Sequence, residues 1–473
     1  MMNQLTRFVV LVALGCKSST GPAGFTLHAE VVNKTTIPNY WVNTPFQWSY
    51  LDAHDVILDH GTIAILSDSA CITPPVAPPT TTRVEFYVPN YPNFFAPTQA
   101  DWSVTVTPVN FGTINWAPGL AHPCRGNMPP PVGTLPQTYA LVSSGGYHTC
   151  GLTPDGVAYC WGDNTVWQLG TGGDKSTRSA PTAVAGGLHF ASLGAGGFQT
   201  CALTAAGAAY CWGGGRDSVP TAVAGGLTFV VLAAGGTSHQ CAMTAGGAAY
   251  CWGYNHQGQL GAGDTTTSAT PVAVTGGITF ASLTTGGSHS CGLTAAGAAY
   301  CWGFNNSGQL GDSTTTDRWS PVAVKGGFSF ASVVASGLST CALTSNGATY
   351  CWGGANGFPA TPVLFNDTIA FASLGKSVGD HICAVTSSGT GYCWGNDVFG
   401  QLGDGMSGSV STSPVPIAGA LSFLDVNGGS DHSCGVTTAH VAYCWGYNGN
   451  GQVGVGSTGG TDPTPVPVIT QVP

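Results

Sequence analysis

CALTAAGAAYCWG, residues 201–213, opens on Cys201, carries a second cysteine ten residues later and runs at once into Trp212-Gly213. Residues 291–303 repeat it as CGLTAAGAAYCWG. An apolar stretch, a short turn containing glycine and a second apolar stretch are the marks of a β-hairpin. In a hairpin centred on residue 206, positions 201 and 211 face each other with Cα atoms about 4.5–5.5 Å apart, so a disulfide closes without backbone movement. Fourteen cysteines form seven pairs with this one separation: Cys150 and Cys160, Cys201 and Cys211, Cys241 and Cys251, Cys291 and Cys301, Cys341 and Cys351, Cys383 and Cys393, Cys434 and Cys444. Loop-closure entropy alone would give each staple about 2–3 kcal/mol, less here because a hairpin already limits its own unfolded state. Zinc wants CxxC knuckles or added histidines at close spacing, so oxidation is the reading and no metal is expected.

The repeat is longer than the hairpin. PTAVAGGLHFASLGAGGFQTCALTAAGAAYCWG aligns with PVAVTGGITFASLTTGGSHSCGLTAAGAAYCWG, and each unit holds four short extended stretches. From one first cysteine to the next the steps are 51, 40, 50, 50, 42 and 51 residues, the range of propeller blades rather than helical solenoids. The two short steps share a cause: after Trp212-Gly213 and after Trp352-Gly353 a segment of the form NxxGQLGxG is missing. Elsewhere it is present, at residues 258–261, 308–311, 400–403 and 451–454, and as Trp167-Gln168-Leu169-Gly170 near the start.

Taken together, HTCxLTxxGxAYCWGxNxxGQLGxG followed by Pro-x-x-Val resembles the regulator-of-chromosome-condensation repeat, from about residue 135 to 470. The resemblance implies a seven-bladed β-propeller with four-stranded blades. It stops at fold, because propellers host unrelated functions. The founding eukaryotic member of the family activates a small GTPase on chromatin, which implies guanine-nucleotide exchange as one alternative. A bacterial relative is a secreted inhibitor that grips a β-lactamase with a ring face, which implies protein recognition as another. Ring closure stays open: the Pro-x-x-Val stretch either ends its own blade, or crosses from the carboxyl end to lock the first.

The amino terminus reads MMNQLTRFVVLVALGCKSSTGP. Arg7 and an apolar run from Phe8 to Leu14, too short to span a bilayer as a finished helix and ending in Ala13-Leu14-Gly15-Cys16, form an export signal. It is similar to the bacterial lipoprotein lipobox, although Ala13 stands where that motif prefers a larger apolar residue. The similarity implies cleavage before Cys16, a signal over 1–15, a tether over 16–23 and a diacylglyceryl anchor on the Cys16 sulfur. A plain secretory signal is the alternative. Either places the chain in the cell envelope or outside it, with membrane attachment only through the lipid.

Composition narrows the function. Charged residues are 7% of the 473, and 21 acidic against 11 basic side chains leave a net charge of -10 with no basic run. A phosphate backbone finds few counter-charges, so nucleic acid is excluded as partner. Residues 24–125 lack the repeat and hold the chain's two glutamates, Glu30 and Glu85. Their alternating stretches, FTLHAEVV, VEFYV and WSVTVTPV, predict an Ig-like antiparallel β-sandwich, with Cys71 and Cys124 as its disulfide. GNMPPPVGT, residues 126–134, is a Pro-rich linker, and the propeller takes 135–473.

Little here predicts catalysis. LDAHDVILDH gathers Asp52, His54, Asp55, Asp59 and His60, which would bind a metal if a turn collected them; a strand with polar flanks explains the same letters. His148, His239, His289, His381 and His432 occupy one repeat position, taken by Gln199 and Ser339 in the other two units. A residue recurring in nearly every blade is a structural hydrogen-bonding site before it is a base. Asp264, Asp312 and Asp404 read as turn caps. No cofactor and no enzyme activity are expected. Binding has positive marks: Trp319 beside Arg318, Trp167, Phe358 and Phe399 are large side chains the repeat does not require, as interface anchors are. The expectation is an exported monomer whose ring binds an unknown macromolecule, a protein or a glycan, with a glycan, metal or enzymatic site on the ring as the alternative.

Overall fold

In a computed structural model of the chain, residues 137–469 are described apart from 234, 355 and 356, together with the backbone of five short strands nearer the amino terminus. The chain divides into two units, Met1–Leu135 and Pro136–Pro473. In the first, Pro45–Leu51 lies between Ile57–Ala64 and Arg83–Tyr87 in an antiparallel sheet, and Ala29–Val31 pairs with Ala70–Ile72. Asp59 and His60 therefore stand on a strand, opposite Tyr50 and Ser49. The packing that would make a sandwich, together with Asp52, His54, Asp55, the signal segment, Cys16, Cys124 and the linker, lies outside the described residues.

The second unit is a ring of seven four-stranded antiparallel sheets, each made from consecutive chain. In blade 1 the strands run Leu141–Ser144, His148–Leu152, Ala158–Gly162 and Arg178–Ala183, innermost to outermost. Blades 2 to 7 cover 192–222, 231–273, 282–323, 332–366, 371–416 and 423–467. The Pro-x-x-Val stretch is thus the last strand of its own blade, which settles the alternative left open by the sequence. Closure needs no exchanged strand: the Asn427 side chain accepts from the Ser144 N–H at 2.7 Å and donates to the Val142 carbonyl at 2.8 Å.

Six of the seven hairpins are turned by glycine in the left-handed region, and in blade 7 His440 takes that place at φ +61°. Gly207 has φ +79°, and a methyl group there would lie 2.6 Å from the Phe229 carbonyl, so no side chain replaces it without displacement. That turn sets Cys201 opposite Cys211, and all seven pairs are disulfides with Cα atoms 4.0–4.1 Å apart. Between blades, an aromatic on the innermost layer meets the next tryptophan. Phe190 lies 5.9 Å from Trp212 and Phe330 6.0 Å from Trp352, and Tyr139 takes the same place against Trp161 at 6.0 Å. All seven of these tryptophans are buried.

Candidate functional site

Because the strands alternate in direction, the turns joining first to second strand and third to fourth strand share one end of every blade. This long-loop face carries all length variation in the ring. The tight turns such as residues 204–207 and the blade-to-blade connections lie at the other end.

Five of the seven blade seams are built alike. In seam 4/5 the Gln309 carbonyl, in the loop of blade 4, accepts from the Trp352 indole N–H at 2.9 Å and from the Thr340 hydroxyl at 2.8 Å. His289 Nε2 lies 2.9 Å from the same hydroxyl. A hydroxyl has one proton, and a carbonyl only accepts, so that proton goes to Gln309 and His289 must donate from Nε2. The loop leucine, Leu310, packs with Trp352 in the same cluster. Ser290 with Gln259 and His239, Ser433 with Gln401 and His381, Thr149 with Gln452 and His432, and Thr200 with Gln168 and His148 repeat the arrangement. The indoles of Trp302, Trp445 and Trp161 also donate to the loop carbonyl, at 2.9–3.0 Å.

The histidines are fully buried and neutral. Burial lowers His148, His239 and His381 to about 4, and His289 and His432 to about 3 with a further contribution from neighbouring histidines. A charge there would be desolvated and unpaired. They are joints, as their recurrence suggests, and their hydroxyl partners sit one position further on in the next repeat.

At the ring axis the long-loop face opens into a cavity of about 390 Å³ walled by residues of six blades, among them Tyr147, Phe304, Asn396, Asp380 and Asp431. Burial raises both Asp380 and Asp431 above the ordinary carboxylate range; Asp431 is relieved by the Tyr147 hydroxyl and raised again by Asp380. Tyr147 is raised by burial and then by Asp431. The mouth is therefore acidic. Sequence reasoning passed over these residues, though both aspartates directly precede a recurrent histidine. Among the described residues no three His, Cys, Asp or Glu gather as a metal site.

The five candidate anchors all stand at the long-loop end, but in different states. Trp319 is 51% exposed while its ring lies against Gly258. Arg318 is held in the loop by an ion pair with Asp312 at 2.8 Å, so it braces Trp319 rather than reaching out. Trp167 has φ +63°, where the equivalent Gly258, Gly308, Gly400 and Gly451 have φ +77° to +79°, and Lys175 Nζ sits 4.0 Å from its ring centre. A bulky residue in that conformation costs about 1–2 kcal/mol and is maintained by its surroundings. Phe358 packs edge-on against Phe365 at 5.5 Å, and Phe399 against Tyr447 at 5.0 Å. Asp264 and Asp404 cap turns, accepting from Thr266 and Met406 backbone N–H groups.

Fold and loops together define a seven-bladed β-propeller with a variable face. Family models described as regulator of chromosome condensation (RCC1) repeat match residues 155–203, 246–293, 296–343 and 388–436, and, in a second form, 140–166, 280–309 and 423–452. The ring therefore contains RCC1 repeats. It is 37% identical over 79 residues to the human probable E3 ubiquitin-protein ligase HERC3, 16% of this chain and 8% of that protein. It is 31% identical over 107 residues to the RCC1 domain-containing mitochondrial protein RUG3 of Arabidopsis thaliana, 22% of this chain and 24% of that one. The chain thus spans a small share of these relatives. The crystal structure of human WBSCR16 superposes with a TM-score of 0.59 at 20% identity, covering 64% of this chain and 88% of that one, a likeness of fold.

Proposed function

We propose that the ring recognises another protein outside the cytoplasm through its long-loop face, held at the membrane by a lipid on Cys16. The carrying observation is that the exposed aromatic side chains stand on this face: Phe198, Tyr254 and Trp319, joined by Val398 and Met406, lie on its loops above a disulfide-stapled scaffold, while the other exposed large apolar side chains among the described residues are aliphatic and scattered over outer strands and the opposite end. Seven disulfides suit an oxidising compartment, which supports export. Catalysis is not required. A second reading, a small-ligand site at the axis, is favoured by the acidic mouth around Asp380 and Asp431, which would take a cationic group.

The immobilised full chain should retain a protein from envelope or extracellular fractions. Trp319→Ala and Phe198→Ala should weaken retention of that protein, a central anchor by about thirtyfold, while Ala205→Glu on the opposite face leaves it unchanged. Equal retention by all variants, or a co-purifying glycan or metal in place of protein, would overturn the reading.

A further inference from the structure

Blades 2 and 5 lack the loop that covers the next blade, and the structure answers the two gaps differently. In seam 5/6 the loss is filled from within. Phe365 lies 5.1 Å from Trp394, Phe358 packs against Phe365, Trp394 is fully buried, and Ile382 replaces the hydroxyl.

Seam 2/3 is not filled. The shortened turn of blade 2 leans back toward blade 1, its Gly215 N–H donating to the Val166 carbonyl at 3.0 Å, and so leaves blade 3 uncovered. Trp252 of blade 3, 5% exposed, clusters with Phe229 and Leu232 but with no loop leucine, and among the described residues its indole N–H makes no hydrogen bond. Gln240 stands where the other seams have the hydroxyl. It is fully buried, and neither its amide nitrogen nor its oxygen has a partner; Gln199, at the histidine position, has an unpartnered Nε2. Single unpartnered atoms occur in the covered seams too, Trp212 Nε1 and Trp394 Nε1 among them, but among the described residues only Gln240 is a buried side chain that leaves two polar atoms, a donor and an acceptor, without a partner, which points to a missing one. Beside the gap, Phe198 is 45% exposed and its carbonyl ties down Gly214.

We propose that the notch over Trp252 is a binding site for a turn of a partner protein that presents a free backbone carbonyl next to a leucine- or valine-sized side chain. Four other seams show the occupant: a Gly-Gln-Leu-Gly or Gly-Gln-Val-Gly turn whose carbonyl takes the indole and hydroxyl protons and whose apolar side chain covers the ring. In seam 2/3 that turn comes from another chain. The Trp252 N–H donates to it, and the Gln240 carboxamide supplies the second donor in place of the hydroxyl. Phe198 lies at the rim as an additional apolar contact. This deepens the reading of the long-loop face and rests on it.

The probe is a cyclised peptide with the blade 4 loop sequence NNSGQLGD, residues 305–312, cyclised to limit the ordering cost. It is added to the full chain carrying 15N-labelled tryptophan, the Trp252 indole resonance being assigned with Trp252→Phe. That resonance should shift saturably, and Leu310→Asp in the peptide should abolish the shift. Trp252→Phe should weaken binding about threefold to tenfold, the worth of one hydrogen bond. A chain with the same loop grafted after Gly213, together with Gln199→His and Gln240→Thr, fills its own notch and should no longer bind. Absence of a shift at millimolar peptide, or a shift that persists in the graft, would overturn the proposal and leave a notch that holds only water. Either failure leaves Trp319-dependent capture untouched, so the two readings fail separately.

Discussion

Seams 4/5 and 2/3 occupy the same ring, yet one is closed by a four-part joint and the other keeps only the tryptophan of it. Where the loop is present, so are its hydroxyl and histidine. Where it is absent, Gln199 and Gln240, or Ser339 and Ile382, stand in their places. The comparison shows that loop, hydroxyl and histidine form one unit. Without the loop carbonyl the hydroxyl has no acceptor, and without the hydroxyl a buried histidine has no one to donate to.

The largest way to break the comparison is acid. The five joint histidines have native values of about 3–4 against 6.5 unfolded. The unfolded chain therefore binds more protons below pH 6.5. Stability is fully present above that pH and falls by about 1.4 kcal/mol per histidine for each unit below it, down to the native values. Asp380, Asp431 and Asp397, raised by burial and the last to about 6, oppose this in part, because their native forms hold protons more tightly. Thermal unfolding should show a steep net loss between pH 6 and 4; a flat profile there would mean the histidines are not buried joints.

A smaller effect separates the two kinds of seam. Trp302→Ala and Trp252→Ala each remove a buried ring packed against a phenylalanine, at a cost of about 3–5 kcal/mol. Trp302→Ala should cost the more by about 1 kcal/mol, since it also takes a donor from the Gln259 carbonyl and uncovers Leu260. Denaturant unfolding of the pair measures the difference, and equal losses would remove the distinction.

Much of the ring was legible in the sequence. The spacing of Cys201 and Cys211 predicts a hairpin, the seven copies predict the blades, and the two short steps mark the blades that lack a loop. What was not legible depends on the ring being closed. The partner of His148 is Thr200, on another repeat, and only adjacency of blades shows that the hydroxyl position follows the histidine position across a seam. Asp380 and Asp431 lie 51 residues apart in the chain and share a cavity because blades 6 and 7 converge on the axis. Arg318 reads as an anchor from its type, but Asp312, six residues before it, claims its charge once the loop folds. Phe358 and Phe399 are long enough to reach neighbouring rings, and no local pattern separates packing from exposure there.

The most direct test of the joint is hydrogen exchange of the tryptophan indole N–H groups in the native full chain. Trp161, Trp302, Trp352 and Trp445, bonded to loop carbonyls, should exchange slowly, through opening of their seams, while Trp252 exchanges much faster. Protection of Trp252 equal to that of the four would contradict the account, because its indole would then already have the partner that the notch over blade 3 is held to lack.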